Sequence, residues 1–125
     1  MPYYEAFPTL DQVYLEDSWV VSVREVPHGL VFDLDAVMTE RHPAYRGPLP
    51  GEQYDYRRLL LEVVGTSAAY EPSGAPPASD ANGHLDHGNI DAWHVDEQGW
   101  SHLEGDWGTA RVLSAQPVLR FLDER

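Results

Sequence analysis

Two aspartates after an apolar run are the residues of this sequence whose spacing most directly suggests a reaction. The stretch VFDLDAV places Asp33 and Asp35 two residues apart. In such a pair, one carboxylate can attack a phosphoryl group while the other acts as general acid and base. Alternatively, both are outward-facing residues of an antiparallel strand, with Arg24 opposite Asp33.

Two histidines in the last third of the chain suggest metal binding. If a hairpin turn lies at residues 97–99, His94 and His102 are cross-strand neighbours, and Glu104 follows on the same face. Two histidines and one carboxylate can bind iron or zinc. Such a site needs shelter and supporting hydrogen bonds, which a solvent-facing sheet does not provide. We interpret the pair as part of a polar face and keep a metal-binding β-domain as an alternative.

The segment SDANGHLDHGNID raises the question of calcium. With Gly83 at the sixth position of an EF-hand-type loop, three residues fall at ligand positions, namely Asp80, Asn82 and Asp86. The anchors are missing, because Ala78 is at the first position and Asn89 at the twelfth. Asn-Gly is also a strong turn signal. We therefore interpret this segment as a turn, and the sequence predicts no metal, no cofactor and no catalytic residue.

Charge gives the chain its clearest chemical character. The net charge is −13, all eight cations are arginine, and no arginine or lysine lies between Arg58 and Arg111, a segment that holds nine carboxylates. A nucleic-acid ligand is therefore not expected. A length of 125 residues suits a single domain at 1–125, with no disulfide because cysteine is absent. No apolar segment is long enough for a signal peptide or a membrane span, which predicts a cytoplasmic protein without a membrane partner.

Alternating apolar and polar residues predict antiparallel strands. In WVVSVREVPHGLVFDLDAVM, a turn at His28 and Gly29 would set Val23 opposite Leu34 and Arg24 opposite Asp33. Residues 54–64 form a third strand, and residues 65–89, rich in Gly, Ala, Pro and Ser, form a long loop. The later strands include a hairpin in which a Glu97-Gln98 turn with left-handed Gly99 sets Trp93 opposite Leu103 and His94 opposite His102.

These elements predict an all-β fold: a single antiparallel β-sandwich or partly open barrel of about seven or eight short strands. The expected core residues lie on the faces of the strands that point inward. They include Trp19, Val21, Val23, Leu34, Leu61, Trp93 and Leu103.

The VFDLDAV stretch resembles the first motif of haloacid-dehalogenase-type phosphatases. In that likeness Asp33 is the nucleophile, Asp35 is the acid/base residue, and Thr66 after LLLEVV matches the second motif. The resemblance implies a parallel sheet with helical crossovers. The chain departs from the pattern, because the later lysine is missing and three prolines occupy the place of the first crossover helix, namely Pro43, Pro48 and Pro50.

A second resemblance covers most of the chain. The order YLEDSWVVSV, VFDLDAV, HPAYRGPLPGEQYDYRR, GNIDAW and LEGDWGTARV is similar to small uncharacterised all-β bacterial proteins, some of which look like immunity proteins encoded beside toxins. This resemblance implies a binding protein that neutralises a partner.

Charge and resemblance together predict a non-enzymatic acidic protein that binds a basic protein partner, such as a toxin directed at nucleic acid. The expected binding surface has the loop at 65–89 as its flank and is centred on Asp86, Asp91, Asp96 and Glu104. The alternative is a metal-dependent hydrolase or phosphatase that uses Asp33 and Asp35, or the metal-binding domain that uses His94 and His102.

Overall fold

Two antiparallel four-stranded sheets pack face to face in the computed structural model, which describes residues 1–10, 13–39, 47, 50, 55–74, 78–79 and 85–122. In chain order the strands are β1 (Val13–Val26), β2 (Gly29–Met38), β3 (Asp55–Val64), β4 (Ser67–Pro72), β5 (Ala78–Ser79), β6 (Leu85–Asp86), β7 (Ala92–Val95), β8 (Trp100–Gly105), β9 (Gly108–Leu113) and β10 (Val118–Phe121). A short helix α1 (Tyr3–Ala6) and a 3₁₀ turn (Pro8–Leu10) precede them.

The strand order defines the architecture. The first sheet has the order β1-β2-β3-β10, the second has the order β4-β9-β8-β7, and β5 pairs only with β6 among the described strands. The predicted all-β sandwich is confirmed, since both sheets are antiparallel and they are not closed into a barrel. Within the described ranges, no helix has the length and apolar character needed to cross a membrane.

The β1–β2 hairpin forms as predicted, but its register differs by two residues. Pro27 and His28 make the turn, and His28 has a φ of 63°, as the second central residue of a type II turn requires. Gly29 is instead the first residue of β2, opposite Val26 and Val64, and glycine is required there because a Cβ would collide with the backbone of Val63. Val23 therefore lies opposite Phe32 rather than Leu34. The predicted pairing of Arg24 with Asp33 is also wrong, since Val31 lies opposite Arg24.

A bulge in β1 overturns two predicted core positions. The register shifts between Val20 and Ser22, which reverses the alternation of faces along the rest of the strand. Val20 is consequently buried, whereas the side chain of Trp19 is 45% exposed and Val21 is only half-buried. Val23 is half-buried and packs against the edge of the core. The prediction of Trp19 and Val21 as core residues is therefore wrong.

The core lies between the inner faces of the two sheets. The predicted core residues Leu34, Leu61, Trp93 and Leu103 are all buried. β3 contributes the predicted row of Leu59, Leu61 and Val63 to the same interior. In the second sheet, the inner positions of β7, β8 and β9 are taken by Trp93, Leu103, Ala110 and Val112. Because successive side chains point to opposite faces, the residues between these positions form the outer face of the second sheet.

The predicted long loop at 65–89 is partly a strand. β4 pairs along its whole length with β9, from Ser67 opposite Leu113 to Pro72 opposite Gly108. Most of its residues are exposed, so its sequence carries little of the apolar alternation that marks a half-buried strand. The calcium-loop positions Asp80, Asn82 and Gly83 lie outside the described residues, as do Pro43 and Pro48.

Candidate functional site

The outer face of the second sheet brings polar residues from all four strands together. One row crosses the sheet as His94, His102, Arg111 and Ala69, and the next row crosses it as Ala92, Glu104, Thr109 and Glu71. The small side chains of Ala69 and Ala92 leave space at the two edges, and a groove of about 460 Å³ lies over these rows. The inward burial of Trp93, Leu103 and Ala110 determines this face, because alternation then sends their neighbours outward.

The predicted pairing of His94 with His102 is confirmed. Their imidazole rings stack with centroids 4.8 Å apart and planes inclined by 11°. The turn between their strands has the predicted form, with Gly99 at a φ of 89°. The turn residue Asp96 ties the hairpin together, because its Oδ2 lies 2.8 Å from Nε2 of His102. Its Oδ1 accepts hydrogen bonds from the backbone N–H groups of Gln98 and Trp100, each at 3.0 Å.

This hydrogen-bond network changes the ionisation of Asp96. The hydrogen bond with His102 lowers the pKa of the Asp96 carboxyl below its ordinary value of 3.8, and the backbone N–H groups of Trp100 and Gln98 lower it further. Asp96 therefore acts as a structural anchor of the hairpin, with both carboxylate oxygens engaged by hydrogen bonds.

The histidine pair does not assemble a metal site with Glu104. In the part of the chain that the structure describes, no group of three or more His, Cys, Asp or Glu side chains could hold a metal ion. The stacked rings lie in nearly parallel planes, so their nitrogen lone pairs do not converge on one point. Nε2 of His102 is also hydrogen-bonded to Asp96, so that nitrogen is not free to bind a metal.

Three carboxylates cluster at the opposite end of β7 from Asp96. The backbone N–H of Asp91 donates to the carbonyl oxygen of Glu104 at 2.9 Å, and Asp106 follows at the β8–β9 turn. Partial burial raises the pKa of Asp91 above its ordinary value of 3.8, and the negative charges of Asp106 and Glu104 raise it further. We call Asp91, Glu104 and Asp106 the acidic end of the second sheet.

The predicted acidic surface is therefore only partly assembled. Asp91 and Glu104 come together, whereas Asp96 lies at the far end of β7 and is bonded to His102. Asp86 belongs to β6, and its side chain lies outside the described part of the structure. Sequence reasoning missed Asp106, although its place two residues after Glu104, at the turn of GDWG, was a usable signal.

Arg111, the arginine on the outer face of the second sheet, does not neutralise the carboxylates of the acidic end. Arg111 lies beside His102 on β9, and its guanidinium sits 5.3 Å from the ring centroid of Trp100. Within the described residues Arg111 makes no ion pair, so its charge is held by the aromatic face. The carboxylates of the acidic end consequently keep their repulsion.

The aspartate pair of the first sheet has a different environment. Asp33 and Asp35 are half-buried outward residues of β2, which lies between β1 and β3. Nη2 of Arg58 donates to both carboxylate oxygens of Asp33, at 2.8 and 3.0 Å. The parallel sheet that the phosphatase resemblance implies is not found, because the strand pairs of the described sheets are antiparallel.

Comparison with known proteins leaves the fold as the only classification. No family model, curated protein or solved structure matches the chain. The class that the coordinates define is an all-β sandwich of two four-stranded antiparallel sheets.

Proposed function

We propose that this protein is a non-enzymatic binding protein that takes a basic protein partner on the acidic end of its second sheet. The observation that carries the proposal is the meeting of three exposed carboxylates at one end of the sheet, where the backbone of Asp91 is hydrogen-bonded to Glu104 at 2.9 Å and Asp106 follows in the next turn. A group of carboxylates that repel one another costs stability in the free protein. A cationic partner relieves this repulsion when it binds, and the relief makes binding more favourable.

The charge of the whole chain supports the same function. A net charge of −13 on 14.1 kDa exceeds what solubility requires and produces an attractive field for a cationic protein. Complementary potentials accelerate encounter and exclude partners of the same sign. An inhibitor or immunity protein fits this role, because proteins directed at nucleic acid carry a basic surface that an acidic protein can occupy in place of phosphates.

Capture of a partner from the source cell at low and high salt tests the proposal. The expected result is a basic protein that is retained at low salt and released at high salt. Glu104→Gln combined with Asp106→Asn should abolish most of this capture. Asp17→Asn combined with Glu25→Gln removes the same charge from the first sheet and should leave most of it, since both residues lie on β1.

Two outcomes would refute the proposal. One is a partner that is held equally well at high salt, because an apolar interface would then dominate. The other is equal loss of capture in the two double variants, because total charge rather than the acidic end would then be responsible.

A further inference from the structure

A second cleft, of about 530 Å³, lies where the first residues of the chain pack against β7. An isolated β-bridge joins Pro2 to His94, and the backbone N–H of Val95 donates to the carbonyl oxygen of Met1 at 2.8 Å. The N-terminal segment thereby covers the edge of the second sheet and forms one wall of the cleft. The acidic end contributes one residue to the lining, Asp91.

Aromatic rings form the walls of this cleft. Tyr3 stacks on Trp93 with ring centroids 5.7 Å apart, and Tyr4 stands nearly perpendicular to Tyr3, at 84° and 5.3 Å. Tyr3 is held in place because its hydroxyl donates toward the carbonyl oxygen of Val13 and accepts from the N–H of Leu15, both at 3.3 Å. Tyr4 is 48% exposed and stands at the solvent side. Tyr3 and Trp93 are only 5% and 4% exposed, so Tyr4 is the ring of this cleft whose face is open to solvent.

Two carboxylates complete the lining. Glu16 comes from β1 and Asp91 precedes β7, and none of the described arginines lines the cleft. Aromatic faces and carboxylates are the two groups that attract an organic cation in a partly desolvated site. A guanidinium suits the combination best, because it is planar, stacks on rings, is weakly hydrated and binds carboxylates through a fixed fork of donors.

The lining also contains a polar group that lacks a partner. The indole of Trp93 is 4% exposed, and its buried Nε1–H has no hydrogen-bond acceptor among the residues that the structure describes. Buried donors of this kind are usually satisfied.

We propose that this cleft receives an arginine side chain of the basic partner, with the guanidinium against the exposed Tyr4 ring and between the carboxylates of Glu16 and Asp91. This inference rests on the proposed function, and it adds the chemical group that the partner presents. It also places that group beside the acidic end, to which Asp91 is common.

A short peptide provides the direct test, independent of the source cell. The probe is acetyl-Gly-Arg-Gly-amide, and its control is the same peptide with citrulline, which keeps the shape and loses the charge. The four tryptophans report through their indole N–H signals in a ¹⁵N–¹H spectrum, and Trp93→Phe assigns the signal of Trp93. The arginine peptide should shift that signal saturably, whereas the citrulline peptide should not.

Single variants then distinguish the contribution of the aromatic ring to binding from that of the carboxylate. Tyr4→Ala and Glu16→Gln should each lower the affinity for the arginine peptide by a factor of roughly 3 to 10. This is the loss expected for one cation–aromatic contact or one charge-assisted hydrogen bond. Tyr14→Ala is a matched control, because Tyr14 is also 48% exposed but lies outside the cleft. Asp17→Asn is the matched control for charge.

The outcomes distinguish this inference from the proposed function. Equal shifts with the citrulline peptide, or no saturable shift of the Trp93 signal, would overturn the cleft assignment. If Tyr4→Ala keeps full capture of a salt-sensitive partner while Glu104→Gln with Asp106→Asn loses it, the proposed function stands and the cleft assignment fails. If no basic partner is captured but the arginine peptide binds as expected, the cleft assignment stands and the proposed function fails.

Discussion

The imidazole rings of His94 and His102 stack face to face across β7 and β8, with centroids 4.8 Å apart. The stack joins the network of Asp96, whose carboxylate bonds to His102 and to two backbone N–H groups of the turn. The pair therefore belongs to the structure that holds the hairpin closed, and the carboxylates at the other end of β7 are left for a partner.

The Asp96 network predicts an acid-dependent stability of the hairpin. The pKa of Asp96 is lowered in the folded state, chiefly by His102, so its contribution to stability is complete above the ordinary pKa of 3.8 and is lost as pH falls through the lowered value. Asp96→Asn should therefore be less stable than the wild type at neutral pH, and the difference should narrow below pH 3.8. Urea denaturation across this range measures the difference. A stability difference for Asp96→Asn that stays constant with pH would contradict the assignment.

Tyr3 predicts an alkaline dependence with the opposite sign. Burial and then the neighbouring Glu16 raise the pKa of the Tyr3 hydroxyl well above 10.0. The contribution of the protonated Tyr3 hydroxyl to folding stability is complete below pH 10.0. It is lost as the pH rises toward the raised pKa of the folded state. Tyr3→Phe should cost about 1–2 kcal/mol at neutral pH, because the N–H of Leu15 loses its acceptor. The cost should shrink above pH 10.0, as denaturant midpoints would show. Tyr14→Phe is the control at neutral pH, where it should cost little because Tyr14 is 48% exposed. A cost that does not change with pH would refute the prediction.

The bulge in β1 predicts unequal costs for two aromatic residues. Phe32 is fully buried and makes an edge-to-face contact with Trp107 at 5.0 Å, whereas Trp19 is 45% exposed. Phe32→Ala should lower the free energy of unfolding by about 3–5 kcal/mol through the cavity that it leaves. Trp19→Ala should cost at most about 1 kcal/mol, despite the larger side chain. Chemical denaturation compares the two, and a larger cost for Trp19→Ala would restore the unbulged strand that the sequence pattern predicts.

The partner of Asp33 can be identified by double-mutant cycles. Arg58 contacts both oxygens of Asp33, but the two side chains are partly exposed, at 43% and 23%. The cycle of Asp33→Asn with Arg58→Gln should give a coupling of about 0.5–1 kcal/mol, because solvent screens the pair. The cycle of Asp33→Asn with Arg24→Gln should give a coupling near zero, since Arg24 lies opposite Val31. Larger coupling to Arg24 would support the register predicted from the sequence.

Local sequence patterns were sufficient to predict strand pairing where the turn itself sets the register. The Glu97-Gln98-Gly99 turn and the alternation on either side determine that Trp93 lies opposite Leu103 and His94 opposite His102. The third strand was equally visible, because Leu59, Leu61 and Val63 alternate along one face and are all buried. These features need only neighbouring residues, and for that reason the all-β class could be predicted.

Contacts between distant segments decided the rest. The bulge that exposes Trp19 has no turn residue or break in β propensity to mark it, and the pairing of β4 with β9 joins residues about forty positions apart. The acidic end depends on the β7–β8 register and the following turn, and the aromatic cleft forms only because residues 1–4 pack against β7. The sequence alone therefore determined the fold class, the hairpins and the excess of negative charge. Only the tertiary structure decided which carboxylates meet and which rings surround them, because those positions are set by packing across the sandwich rather than by alternation within one strand.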